Sequence, residues 1–383
     1  MLSVGFGALL GASDAQAVGT RTFQLDKGED FKGGDLKGVA VDASGKVRAG
    51  LSLGASAVNE ASAIWAALPE KDGAVLLGTG NEGKLLRLKD GKVSVVAETK
   101  ALVITSLVEA WGGTVVMGTM PDGKVMKLDR GKVTDLVSIK GVEHIWSVAF
   151  DKKSNSVFAA TGPEGKLYRV DQNGTAQVYF DAAEQHLMSV AVAPDGTVYA
   201  GASEKAKLYK ITGPGRGSVM HDFGRTEVRA ISVTPKGVVY AIANEIQSGF
   251  YAPTRSGRMG PDAAGPTAKP PKTRGKGTLV QFEADGTPDV LLDDKDEHFT
   301  SLTVGDDGKP YVGTGVEGRV YTVDDAHNSV LMADTEERQI GALSLGGKTK
   351  FVAASDPAVL HPVRGVGGTD SVWTSKVLDA GIR

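Results

Sequence analysis

The stretch from residue 144 to residue 171 reads HIWSVAFDKKSNSVFAATGPEGKLYRVD, and its reading decides the fold. Apolar and polar residues alternate over 145–150, a polar turn occupies 151–155, and a second apolar run covers 156–160. A Gly-containing turn at 161–165 leads into a third run at 166–170, and a turn at 171–174 into a fourth at 177–180. Period-2 alternation cut by turn residues every eight to twelve positions is the pattern of short antiparallel strands and excludes a sustained helical period. The unit recurs. Taking Gly78, Gly118, Ala160, Gly201, Ile242, Gly313 and Ala353 as equivalent points, successive steps are 40, 42, 41, 41, 71 and 40 residues. Four strands in about 40 residues is the arithmetic of a propeller blade. The chain is therefore expected to be all-β, a propeller of seven four-stranded blades over 63–363, with eight blades as the alternative and short β segments flanking them.

Composition agrees. Gly makes up 51 of 383 residues, about 13% against a usual share of roughly 7%, as many tight turns require. There is no Cys, so disulfide scaffolds, thiolate metal sites and thiol nucleophiles are excluded together. With 43 Lys and Arg against 46 Asp and Glu, the net charge of −3 offers no electrostatic reason for nucleic acid or an anionic membrane as partner. No stretch approaches the 18 or so uninterrupted apolar residues of a membrane span. Residues 1–20 read as a signal-peptide-like tail, an apolar run ending in Ala15-Gln16-Ala17, although no Lys or Arg precedes the run. A monomeric periplasmic or secreted protein is the expectation.

The repeats resemble the NHL, YVTN and quinoprotein-like propeller group, and most closely exported bacterial propellers that carry GTGxEGK(L/V)YR(V/L)D. The carriers of that resemblance are Gly78 to Lys84, Thr161 to Asp171 and Gly313 to Arg319. The likeness covers roughly 63–363 and implies a fold, not a chemistry. The chain lacks the GH and WD pair of WD40 repeats, the Asp box of sialidases and the Trp-tailed quinoprotein repeat, so a quinone cofactor is not expected.

Three segments fall outside the regular repeat. The N-terminal segment, 21–62, contains a hairpin pattern, but only 28 residues separate Gly50 from Gly78, too few for a blade. Residues 364–383 read either as a closing strand or as the start of a truncated sandwich into which the propeller is inserted. An eighth partial blade is the third possibility, and closure by outer strands from the N-terminal hairpin the plainest one. The long step hides an insertion at 244–277 in blade five, with five Pro and the basic residues Arg255, Arg258, Lys269, Lys272, Arg274 and Lys276. Such a composition cannot bury enough apolar surface to offset its ordering entropy. It reads as a disordered surface loop, or as a docking arm for an acidic partner.

Chemistry is expected where the innermost strands open onto the channel mouth. That position reads Ala63, Val103, His144, His186, Glu227, His298 and Gln339 around the seven blades. The set His144, His186, Glu227, His298 and Gln339 is the candidate ligand-binding rim. Imidazole and carboxylate together are the donor set for a divalent metal, so His144, His186, Glu227 and His298 are candidate metal ligands; otherwise no cofactor is expected. The turns between second and third strands add Glu82, Asp122, Glu164, Glu204 and Glu317, each beside a Lys or Arg and so expected to be solvated pairs. Trp65 and Trp146 share one inner-strand position and read as blade-packing aromatics, or as a platform for a sugar. Nucleophile-elbow, zinc-helix and phosphate-loop motifs are missing. Two functions remain: a non-enzymatic propeller presenting one loop-rich face to a protein or glycan of the cell envelope, or a metal-dependent hydrolase or lyase of the lactonase or streptogramin-lyase type.

Overall fold

The computed structural model describes residues 22–246 and 275–378. Seven sheets of at least four strands follow one another along the chain. Each inner strand touches the next, and the inner strand of blade 7, Gln339–Ser344, touches that of blade 1, Ile64–Pro69, so the ring is closed. Blade 3 comprises His144–Asp151, Ser156–Gly162, Lys166–Val170 and Ala176–Asp181, within two residues of the sequence reading at every boundary. Among the described residues, helix is confined to Gly28–Phe31 and one 3-10 turn at Trp111–Gly113. The alternative of eight blades is not realised.

The second strand of each blade is its buried spine; in Val75–Thr79, Val198–Ala202 and Phe351–Ser355 every residue is buried. Glycine there serves packing between blades. A Cβ on Gly118 would stand 2.8 Å from Ile145 Cγ2, and one on Gly313 2.5 Å from Ile340 Cγ2, each on the inner strand of the next blade. The Thr that follows locks the turn to the third strand: the hydroxyls of Thr79, Thr119 and Thr161 donate to the carbonyls of Lys84, Lys124 and Lys166 at 2.7–2.9 Å. Neighbouring blades are stitched near the channel by side chains. Ser189 Oγ donates to Val228 O at 3.0 Å, and Ser301 Oγ to Ile340 O at 2.7 Å. Ser355 Oγ accepts from Ile64 N at 2.9 Å, which ties blade 7 to blade 1.

The N-terminal segment is divided between two blades. Its hairpin, Val39–Asp42 with Val47–Ala49, adds two strands to the outer edge of blade 6, pairing Val41 with Leu331. The next residues, Leu51–Leu53 and Ser56–Ala57, pair with the third strand of blade 7, Val359–Val366, and take the place of its fourth. An open edge of unpaired N–H and C=O groups is thereby covered. Closure by N-terminal strands was one sequence expectation; the hairpin itself, however, goes to blade 6, and the segment after it completes blade 7. Of the C-terminal stretch, Val372–Thr374 pairs with Asp35–Lys37 in a separate two-stranded sheet, where Trp373 packs on Phe31 with ring centroids 4.9 Å apart.

In blade 5 the ladder between Val239–Ile246 and Gly275–Phe282 reaches Ile246↔Gly275. The strands therefore extend into the stretch read as insertion, and Lys276 lies on one of them, paired with Glu245 at 2.9 Å. The other basic residues of that loop, Arg255, Arg258, Lys269, Lys272 and Arg274, lie outside the described residues, as does the signal-peptide-like tail.

Candidate ligand site at the channel mouth

Every blade carries the same irregularity between its first and second strands. The pairing slips by one residue between Ile64 and Ala66, Ile104 and Ser106, Ile145 and Ser147, and Leu187 and Ser189. It does so again between Val228 and Ala230, Phe299 and Ser301, and Ile340 and Ala342. A bulge leaves one residue unpaired and re-aims its side chain. The seven residues skipped are Trp65, Thr105, Trp146, Met188, Arg229, Thr300 and Gly341, and all seven line one cavity of about 240 Å³ at the ring's centre. Simple alternation cannot reveal this, because a bulge breaks the period on which alternation rests. The two Trp residues, whose repeat position suggests blade packing, instead belong to the cavity wall; Trp65 is 37% exposed.

Arg229 is the one charged side chain in that wall. Thr105 and Thr300 direct their hydroxyls to backbone, to Ile145 O at 2.5 Å and Ile340 O at 2.7 Å. Their polarity is therefore already committed to joining blades.

The expected rim residues fall into separate groups. His144 and His186 stand side by side with ring centroids 5.6 Å apart, and Trp146 completes the cluster. Trp146 Nε1 donates to His186 Nδ1 at 3.1 Å, so the lone pair of that nitrogen is occupied. Burial holds His186 below the ordinary histidine range and the neighbouring His144 adds to the effect, leaving a neutral ring with its proton on Nε2. On the next blade, Glu227 accepts from Asn244 Nδ2 at 2.9 Å, while Asn244 also bonds both backbone groups of Phe299. His298, 6% exposed, is packed onto Gly275 and Gly315. Burial lowers its basicity; Glu227 opposes that and Arg229 reinforces it. Gln339 is exposed and joins neither group.

This corrects the expectation of one metal site from His144, His186, Glu227 and His298. No group of three or more His, Cys, Asp or Glu side chains that could hold a metal is present among the described residues. The reason is geometric: equivalent positions of a repeat are distributed round a ring, and only neighbouring blades bring them together. His186 in addition has its Nδ1 taken by an indole, so the donor set does not fit a metal.

The acidic turn residues are likewise redistributed. Lys84 and Lys166 do pair with Glu82 and Glu164. Lys124, however, pairs with Asp135, Lys207 with Glu184 and Arg319 with Glu297, at 2.6–2.8 Å. Glu184, Glu297 and Glu337 are buried carboxylates on the links between blades, which sequence reasoning missed. They meet Lys207 and Tyr209, Arg319, and His361 respectively. The available signal was a Glu on the link facing a cation, phenol or imidazole at the first or third position of the third strand.

The fold places the chain beside known propellers. It is similar to virginiamycin B lyase from Staphylococcus aureus, with TM-score 0.61 and 10% identity over 82% of this chain and 99% of that one. It is also similar to the extracellular domain of a hybrid two-component system from B. thetaiotaomicron, with TM-score 0.59 and 12% identity over 81% of this chain and 39% of that one. A third similar structure is the WD40 β-propeller domain of Doa1, with TM-score 0.57 and 12% identity over 82% and 97% of the two chains. At such identity the likeness concerns fold alone. No protein-family model matches the chain, and no curated protein matches it. No helix among the described residues is long and apolar enough to cross a membrane.

Proposed function

We propose that this chain is an exported, non-enzymatic binding propeller whose channel mouth recognises a glycan or protein of the cell envelope. The observation that carries the reading is the ring of bulge residues, which puts two indoles and a guanidinium into one cavity. His186 and His298, buried or hydrogen-bonded and neutral, suit a rigid support beside the cavity better than a proton relay. Export is supported by the likeness to extracellular domains of bacterial proteins. The test is co-sedimentation of the purified propeller with isolated cell-wall polysaccharide, comparing wild type with a Trp65→Ala, Trp146→Ala double variant of matched melting temperature. Binding lost in the double variant supports the reading, and equal binding by both proteins refutes it.

A further inference from the structure

From the channel wall we infer that the ligand is an acidic saccharide, whose terminal ring lies against Trp65 or Trp146 and whose carboxylate is taken by Arg229. This rests on the channel mouth being the binding site, as proposed above. Arg229 is half-buried and makes no hydrogen bond or ion pair with any described residue; the nearby His298 is kept neutral by burial. Arg319, which lines another cavity, is engaged differently: it donates to Glu297 at 2.6 Å. A guanidinium left unpaired in a cavity with no carboxylate in its wall is complementary to an anion, and its planar fork matches a carboxylate bidentately.

The apolar part of the wall narrows the class further. Indole faces are flat, and aromatic rings with a polar edge suit ligands that are part apolar and part wet. Trp146 is held in place by its bond to His186, so its face is presented without a further ordering cost. Sites for drug-sized ligands begin at about 300 Å³. The cavity of about 240 Å³ therefore suits one terminal ring, with the remainder of a glycan outside the mouth. Blade 5 lies across the seven-membered ring from blades 1 and 2, so a ring bound on Trp65 can extend its carboxylate toward Arg229.

The experiment is titration calorimetry with methyl β-glucuronide and methyl β-glucoside, which differ at the carboxylate. Wild type is expected to prefer the glucuronide at least tenfold, with a preference that shrinks as salt rises. Arg229→Met should abolish the preference by weakening glucuronide binding at least tenfold, and Arg229→Lys should restore part of it. Quenching of Trp fluorescence by the glucuronide should be reduced in Trp65→Ala or Trp146→Ala. An unchanged preference in Arg229→Met overturns the proposal, as does a wild type that binds neither sugar. If an Asp- and Glu-rich peptide or a neutral sugar binds instead with Trp quenching, the acidic saccharide is refuted and the channel-mouth reading survives. If no probe perturbs the Trp signal and cell-wall binding is also absent, both fall.

Discussion

Replacing Glu337 by Gln should loosen the ring at its closure. His361, on the third strand of blade 7, directs Nδ1 to Gly54 O at 2.8 Å and Nε2 to Glu337 Oε2 at 2.9 Å. Gly54 lies between the two N-terminal strands that complete blade 7, and Glu337 lies on the link from blade 6, so one side chain ties three parts of the closure together. The imidazole thus bridges the Gly54 carbonyl and the Glu337 carboxyl. His361 is 8% and Glu337 7% exposed. Removing one partner of a buried ion pair outright costs about 3–5 kcal/mol. Gln keeps an oxygen that accepts from Nε2 and removes only the charge, so about 2 kcal/mol is expected, close to the increment for a hydrogen bond to a charged group. At about 2–4 °C per kcal/mol for a chain of this order, the melting temperature at pH 7 should fall by roughly 4–8 °C. Burial pushes the Glu337 carboxyl up, but the His361 hydrogen bond and charge outweigh it and hold the group below the usual carboxylate range. A depressed carboxylate contributes stability above its unfolded pKa and loses it as pH falls through the folded one. The gap between wild type and Glu337→Gln should therefore be full at pH 7 and narrow below about pH 4.5. Thermal melts followed by circular dichroism at pH 7 and pH 4 measure both quantities. No loss at pH 7, or a gap of equal size at the two pH values, would show that the charged pair does not hold the closure.

Gly118→Val should cost about 1–3 kcal/mol by overpacking, since even a bare Cβ would stand 2.8 Å from Ile145 Cγ2; an unchanged denaturant midpoint would refute the packing role of this glycine. Thr161→Val, which removes the hydroxyl donated to Lys166 O at 2.7 Å, should cost about 1–2 kcal/mol by the same measurement, because a half-buried carbonyl loses its partner. Burial among Asp35, Glu297 and Glu317 pushes Asp334 up to about 7 even with Arg319 nearby. The folded state then binds the proton more tightly than the unfolded one, so wild type loses stability as pH rises from about 4 to 7. Asp334→Asn should melt like wild type near pH 4 and higher than it at pH 8; a lower melting temperature at pH 8 would refute the assignment.

Local chemistry determined much of this protein. Strand alternation and turn residues act over two to five positions, so seven repeats, the strand bounds of blade 3 and the residues that open each inner strand were legible in the sequence. The positions of His144, His186, Glu227 and His298 were legible as equivalent points of the repeat, but none of them lines the central cavity. What those residues meet was decided by tertiary structure. His186 accepts from the indole two residues into the preceding blade, and Glu227 from an Asn on its own blade's second strand, so a set that reads as one metal site became two separate pairs. The bulges that turn Trp65, Trp146 and Arg229 into the channel are one-residue slips in pairing, which exist only once two strands lie side by side. Closure is the least local choice of all: residues 39–49 pair with blade 6 and residues 51–57 with blade 7. Either edge offers the same unpaired backbone groups, and what separates them is the packing of side chains hundreds of positions away, such as His361 on Gly54.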